Sequence, residues 1–145
     1  MTAAPNIRFF FKNVTVALSA RKKLKSFINQ IFTQEGKKIQ ALNYVFCSDK
    51  ELLKINKAYL KHDFYTDIIT FDLSENPQEV IGEIYISVER VRENATSFKS
   101  GLREELLRVI FHGVLHLCGY EDKSNAEKLR MRKKEDDYLT MYRQL

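Results

Sequence analysis

Apolar residues follow two different spacings along this chain, and the spacing changes as the chain proceeds. Alternating and β-branched apolar runs, which are typical of strands, occupy residues 7–11, 39–47, 68–71 and 80–87. Apolar positions three and four apart, which are typical of amphipathic helices, occupy residues 20–35, 49–59, 88–96, 102–117 and a segment from about 125 onward. Because strands crowd the first two thirds and helices the last third, the pattern predicts an α+β domain with helices packed on one sheet.

Capping residues support these helix boundaries. Ser48 or Asp49 is placed to cap the second helix, and Ser124 or Asn125 is placed to cap the last one. The helix at 102–117 is apolar over most of its circumference, so we expect it to be largely buried. The last helix carries apolar residues at Leu129, Met131, Tyr138 and Met141.

Length and composition restrict the class of protein. At 145 residues the chain has a common size for one domain, and we expect a single domain over residues 1–145. Hydrophobic residues make up 44% of the chain and charged residues 30%, which excludes a disordered or low-complexity sequence. No apolar stretch approaches the roughly 18 residues of a membrane-spanning helix, so we expect no membrane partner. Two cysteines, Cys47 and Cys118, predict no disulfide framework and suit a reducing cytoplasm.

Basic residues are concentrated at the start of the chain, although the net charge is only +5. Residues 1–50 carry nine Lys and Arg against two Asp and Glu, whereas residues 51–100 carry six against nine. This asymmetry favours an anionic partner on one side of the domain, and nucleic acid is the usual one. The same basic residues also suit the solvated face of an amphipathic helix. The candidate phosphate contacts are Arg21, Lys22, Lys23 and Lys25.

Two of the three histidines lie four residues apart in the long helix. His112 and His116 differ by about 40° around the helix axis and by about 6 Å along it. Both imidazoles therefore leave one face and can converge on one divalent cation. The alternative is a pair of partly buried histidines that only form hydrogen bonds.

A glycine turn follows this pair and is rich in acids. Gly119 can adopt the left-handed conformation that ends a helix and reverses the chain. The reversal can bring Glu121 or Asp122 back over the histidine face, where a carboxylate completes a three-ligand zinc site with one open position. Gly113 stands where zinc peptidases of the His-Glu-x-x-His type carry their general base, which argues against peptide hydrolysis.

Three blocks of sequence carry a closer resemblance. They are INKAYLKHDFYTDIITF from Ile55, GEIYIS from Gly82 and HGVLHLCGYED from His112. In order and spacing these blocks closely resemble the YbeY family, the bacterial single-domain metal-dependent endoribonucleases linked to ribosomal RNA maturation. The resemblance spans about residues 50–122.

This resemblance implies a fold and a ligand set. It implies one mixed four-stranded sheet packed with about five helices, and a metal site at the C-terminal end of the long central helix. It implies one Zn²⁺ per chain, held by His112, His116 and Asp122, where Asp122 replaces the histidine that is usual in the family. It also implies that RNA lies in a groove beside the strand that begins near Thr66.

The resemblance further implies a single-strand-specific, zinc-dependent endoribonuclease. Such an enzyme acts in the cytoplasm on ribosomal RNA of the small subunit, in maturation and quality control of the ribosome. Glu121 or Asp63 is the candidate proton acceptor, and the nucleophile is either water or the RNA 2′-hydroxyl. Leu60 stands where the family usually has an arginine, so Lys61 is expected to supply part of that charge.

Two other functions fit the same residues. One is a metal hydrolase with a small or peptidic substrate. The other is a non-catalytic factor that binds RNA or the ribosome and uses the metal only to hold the last turn of the helix. His62 is expected to be an ordinary exposed loop histidine, with base stacking or phosphate contact as the alternative.

Overall fold

The computed structural model describes residues 6–145, which form five helices and one four-stranded sheet. In chain order the elements are β1 (Ile7–Phe11), α1 (Arg21–Gln34), β2 (Lys38–Cys47), α2 (Asp49–Leu60), β3 (Ile68–Asp72), β4 (Glu79–Ser87), α3 (Val88–Ser97), α4 (Leu102–Leu117) and α5 (Asn125–Arg143). Every element predicted from the apolar spacing is present, with only small shifts at the ends.

The sheet is mixed, with the strand order β1-β2-β4-β3. Strand β2 pairs in parallel with β1 and with β4, whereas β3 runs antiparallel to β4. Parallel neighbours require a crossover connection, which α1 supplies between β1 and β2. The predicted α+β class and mixed four-stranded sheet are therefore confirmed, and β3 forms one edge of the sheet.

The two faces of the sheet bury different clusters. On β4, Ile84 and Ile86 belong to the main core, which includes residues from α1, α3, α4 and α5. Tyr85, between them in sequence, packs with Leu52 of α2 and Ile69 of β3 in a smaller cluster. This alternation follows from the two-residue period of a strand. Helix α2 therefore lies on the opposite face of the sheet from α4.

Helix α4 is largely buried, as predicted, and its single glycine, Gly113, permits a close approach to the sheet. A Cβ atom on Gly113 would lie 2.7 Å from Ile84 Cδ1 and 3.1 Å from Ile68 Cδ1. Only a residue without a side chain lets α4 pack this tightly on β3 and β4. Gly113 therefore allows the helix segment that carries His112 to lie close to the edge strand β3.

The apolar residues named for helix α5 do not all face the core. Leu129 is 74% exposed, whereas Met131 and Tyr138 are buried. Residues 129 and 131 are about 200° apart around a helix axis, so both cannot face the same core. The buried stripe runs through Met131, Glu135, Tyr138, Leu139 and Tyr142, and it contains a carboxylate that the apolar pattern did not reveal.

Serine residues cap the starts of helices α2 and α5. Ser48 Oγ accepts a hydrogen bond from the N–H of Glu51 at 3.1 Å and so caps α2. Ser124 Oγ accepts one from the N–H of Glu127 at 3.1 Å, and the Glu127 carboxylate accepts one from the N–H of Ser124 at 2.8 Å. This reciprocal capping box fixes the start of α5 directly after the acidic turn.

Both cysteines are free thiols, as predicted. Burial raises the pKa of Cys47 to about 11 and that of Cys118 to about 12. The two side chains therefore stay protonated near neutral pH. Among the helices of residues 6–145, none is long and apolar enough to cross a membrane.

Candidate metal centre

A glycine turn at the end of α4 directs the chain back toward the two helical histidines. Gly119 has a φ of +102°. Its N–H donates to the carbonyl of His116 at 3.0 Å, and the N–H of Tyr120 donates to the carbonyl of Leu115 at 3.0 Å. These two bonds define a Schellman motif, in which glycine adopts the left-handed conformation without strain. The reversal predicted from the sequence is therefore present.

Three possible ligand atoms meet at this turn. His112 Nε2 and His116 Nε2 are 2.9 Å apart. Asp122 Oδ2 lies 3.2 Å from the first of these nitrogens and 3.4 Å from the second. Ligand atoms about 2.0–2.1 Å from a tetrahedral ion are roughly 3.3 Å from one another. The triangle of two imidazole nitrogens and one carboxylate oxygen therefore has the size and chemistry to hold a divalent metal ion.

A buried carboxylate on α5 holds one of these imidazoles. Glu135 Oε2 lies 2.6 Å from His112 Nδ1, and Glu135 is only 5% exposed. With the proton on Nδ1, this nitrogen donates to Glu135 and the lone pair of Nε2 is free for a metal. Arg108 Nη1 donates to the other oxygen, Glu135 Oε1, at 2.9 Å. A carboxylate behind a ligating histidine is the usual support of a metal site.

The two histidines differ in their electrostatic surroundings. Burial lowers the pKa of His112, but the hydrogen bond and the charge of Glu135 outweigh burial and raise it overall. The pKa of His116 is lowered by burial and by the neighbouring His112. His116 therefore favours the neutral, metal-binding form, whereas His112 obtains its orientation from Glu135.

Two cavities border the candidate ligands. A cavity of about 600 Å³ is lined by His112, His116 and Asp122 together with the loop that precedes β3. A second cavity of about 340 Å³ is lined by His112, Asp122 and Glu135. Asp67 lines both cavities, accepts a hydrogen bond from Asn94 Nδ2 at 3.1 Å, and has a pKa raised by burial. From its place at the start of a strand, Asp67 is predicted to have either a capping or turn role or a role toward the substrate.

The structure brings some of the predicted site residues together and separates others. Thr66 lines the larger cavity with the candidate ligands. Glu121 instead lines a different cavity, beside Glu35 and Cys118. Asp63 is exposed and pairs with Lys57 at 3.2 Å. Lys61 forms the left-handed C-cap of α2 and lines neither cavity beside the candidate ligands. The catalytic roles of Glu121, Asp63 and Lys61 stay predictions.

The basic residues of α1 also lie outside these two cavities. Three of them lie over aromatic rings, namely Arg21 over Phe11, Lys23 over Tyr142 and Lys25 over Phe9. Lys22 is exposed. Their contact with RNA stays a prediction. The cations that do line the two cavities are Arg108, Lys123, Lys128 and Arg132.

A partly buried carboxylate, Glu35, ties the acidic turn to two helices. Glu35, just beyond α1, accepts hydrogen bonds from the hydroxyl groups of Tyr120 and Tyr138. Lys134 Nζ donates to the same carboxylate at 3.2 Å. The Glu35 side chain is 11% exposed. Although burial acts to raise its pKa, these three donors outweigh burial and lower it. Glu35 therefore fixes the turn between the candidate ligands His116 and Asp122.

We expect Glu35→Gln to lower the free energy of unfolding by about 1–2 kcal/mol at pH 7, since hydrogen bonds to a charged group are lost. The pKa of Glu35 is lower in the folded state than its usual value of 4.5. Its contribution is therefore complete above about pH 4.5 and is lost as the pH falls through the lowered pKa. Urea unfolding between pH 7 and pH 3 should show the difference from wild type shrinking in acid.

The control is Glu75→Gln, which alters an exposed carboxylate between β3 and β4. Its curve should follow that of wild type at every pH. A Glu35→Gln variant that matches wild type at pH 7 would remove Glu35 from the support of the turn.

Comparisons with known proteins give the chain its relatives. Residues 8–143 match the family model described as endoribonuclease YbeY. A protein of that name from Flavobacterium psychrophilum is 51% identical over 117 residues, which cover 81% of this chain and 83% of the relative. One from Cytophaga hutchinsonii is 48% identical over 134 residues, covering 92% and 94%. A solution structure from Thermotoga maritima has a TM-score of 0.64 at 30% identity and covers 94% of this chain and 88% of that one.

Proposed function

Because this chain belongs to the YbeY family of endoribonucleases, we propose that it is a metal-dependent endoribonuclease that acts in the maturation of ribosomal RNA. The observation that carries the proposal is the group of His112, His116 and Asp122, which together line a cavity of about 600 Å³, in a chain that matches the family over residues 8–143. We propose one Zn²⁺ as the resident ion, because two imidazoles and one carboxylate are a donor set typical of catalytic zinc.

In the proposed mechanism, different residues bind the metal ion, orient its ligands and accept a proton. His112 Nε2, His116 Nε2 and Asp122 Oδ2 would hold the ion, and Glu135 would keep the His112 proton on Nδ1. When bound, such an ion supplies an acidified water and polarises a phosphoryl oxygen. Asp67 lines both cavities, whereas Glu121 and Asp63 line neither. Of these three carboxylates, Asp67 is therefore the best placed to accept a proton.

Peptide hydrolysis is poorly supported by the same geometry. The position that follows the first histidine is Gly113, and a side chain there would meet Ile84 and Ile68 of the sheet. The chain therefore lacks the glutamate base of the zinc peptidases at this position, and the packing leaves no space for its side chain. The non-catalytic RNA-binding alternative retains one point in its favour, because Leu60 lines the larger cavity without a charge.

The finer parts of the proposal concern the place of action. We propose that residues 1–145 act as one domain in the cytoplasm, on RNA of the small ribosomal subunit. A role in quality control of the ribosome follows from the same activity. The supporting observations are the family membership and the two free thiols, which suit a reducing compartment.

The test compares one RNA sequence in two forms. The protein is incubated with Zn²⁺ and an end-labelled single strand, or with the same strand annealed to its complement. We expect internal cleavage of the single strand at least about tenfold faster, because only unpaired nucleotides can be splayed into a cavity. Binding without cleavage of either form would favour the non-catalytic alternative. Equal cleavage of both forms would remove the preference for single strands.

A further inference from the structure

An exposed pair of stacked aromatic rings stands in the loop between α2 and β3. His62 and Phe64 have ring centroids 5.0 Å apart, with an angle of 21° between the planes. Phe64 is 56% exposed. Two flat rings held together in contact with water present an apolar, π-electron surface of the kind on which nucleic-acid bases stack.

The loop that carries these rings is held by a buried side chain. Asn56, on α2, is only 2% exposed. The side-chain Nδ2 of Asn56 donates to the backbone carbonyl of Phe64 at 2.9 Å. The backbone carbonyl of Asn56 accepts a hydrogen bond from the N–H of His62 at 3.1 Å. Both ring-bearing residues are therefore bonded through their backbones to the same helical residue. A surface fixed in this way loses less conformational entropy when a ligand binds.

The same rings share a cavity with the candidate metal ligands. His62 and Phe64 line the cavity of about 600 Å³ that also contains His112, His116 and Asp122. Lys123 lines this cavity as well and adds a positive charge for a phosphate. We propose that His62 and Phe64 form a subsite on which a nucleobase of single-stranded RNA stacks while the adjoining backbone lies at the candidate metal centre. This inference rests on the proposed function.

The chemistry of the cavity favours a nucleobase over other occupants. Leu60 and Phe64 supply apolar surface that matches a flat base. Lys123 supplies a positive charge for a phosphate beside the carboxylates of Asp67, Asp72 and Asp122 in the same lining. Stacking accepts any base, because every base has a π face. The subsite therefore predicts contact with unpaired RNA and little preference for sequence.

The test measures RNA binding with a chelator present, so that cleavage does not interfere. The probes are a labelled single-stranded RNA and the same strand with abasic nucleotides. Wild type should bind the intact strand about tenfold more tightly than the abasic one. Phe64→Ala should bind the intact strand about tenfold more weakly than wild type and should no longer distinguish the two probes. Phe64→Trp, which restores a flat ring, should bind like wild type.

The matched control is Phe10→Ala. Phe10 is 45% exposed and lies on β1, at the edge of the sheet opposite β3. Its loss should change neither binding nor the response to abasic nucleotides. Circular dichroism melting checks that both variants are folded. We expect both to fold, because Phe64 and Phe10 are exposed and their loss removes few core contacts.

Two failures are distinguishable. If Phe64→Ala binds and distinguishes the probes as wild type does, the subsite is wrong, although cleavage of the single strand with Zn²⁺ would leave the proposed function in place. If wild type neither binds nor cleaves single-stranded RNA, the proposed function is wrong and the subsite is overturned with it.

Discussion

Alanine in place of His116 should reduce RNA cleavage by more than about 100-fold and leave the fold intact. Loss of a partner that only supports a ligand typically costs 10- to 100-fold in metal affinity or activity, so loss of a ligand itself should cost more. His116 borders the larger cavity and is partly exposed, so its truncation removes few core contacts. The measurements are cleavage of single-stranded RNA and metal content of the purified variant.

Chelation and a pair of neighbouring acids provide the controls. Treatment of wild type with a chelator should reproduce the loss, and added Zn²⁺ should restore cleavage in wild type alone. Asp122→Asn should lose metal, whereas Glu121→Gln should retain full metal content, because Glu121 lines a different cavity. Equal cleavage by wild type and His116→Ala, with and without chelator, would exclude the metal from the mechanism.

Replacement of Glu135 is expected to have the second largest effect. Its two carboxylate oxygens face two donors, Arg108 Nη1 and His112 Nδ1. Glutamine offers only one acceptor, so Glu135→Gln should weaken metal binding about 10- to 100-fold. Glu135→Ala also leaves the guanidinium of Arg108, which is 14% exposed, without its buried partner. We expect this variant to lose about 3 kcal/mol of unfolding free energy.

The neighbouring acid on α5 is a matched control. Asp136 Oδ1 accepts from Arg108 Nη2 at 2.7 Å, but its side chain is 56% exposed. Asp136→Asn should therefore cost less than about 1 kcal/mol and should not affect metal affinity. Isothermal titration with Zn²⁺ and urea unfolding measure the two effects. A Glu135→Gln variant that binds Zn²⁺ as tightly as wild type would show that Glu135 does not orient His112.

The elements of the fold could be predicted because their signals are local. The apolar spacing of α4 predicts Leu102–Leu117 as the structure has it, and serines mark the starts of α2 and α5. The order of the strands could not be read from spacing, because it depends on which segments pair. Leu129 shows the limit of composition, since an apolar residue in a helix need not face the core.

The candidate centre divides in the same way. His112 and His116 share one face through helix geometry, and the glycine turn leaves Glu121 and Asp122 as alternatives for the third ligand. The resemblance to the family selects Asp122, which the structure places beside both histidines. Glu135 lies 23 residues beyond His112 in sequence, and Glu35 lies 85 residues before Tyr120. A polar position between the apolar residues of a buried helical stripe, as at Glu135, is the signal that could have found the first of them.

All three candidate ligands lie between His112 and Asp122, whereas their support comes from α5. A nascent chain therefore completes the ligand set before the acceptor of the His112 proton has been synthesised. A product truncated before Asn125 would contain every candidate ligand and lack Glu135 and Tyr138. In such a fragment the imidazole of His112 would lack the carboxylate that orients it. The synthesis of the last helix therefore determines when the centre becomes ordered.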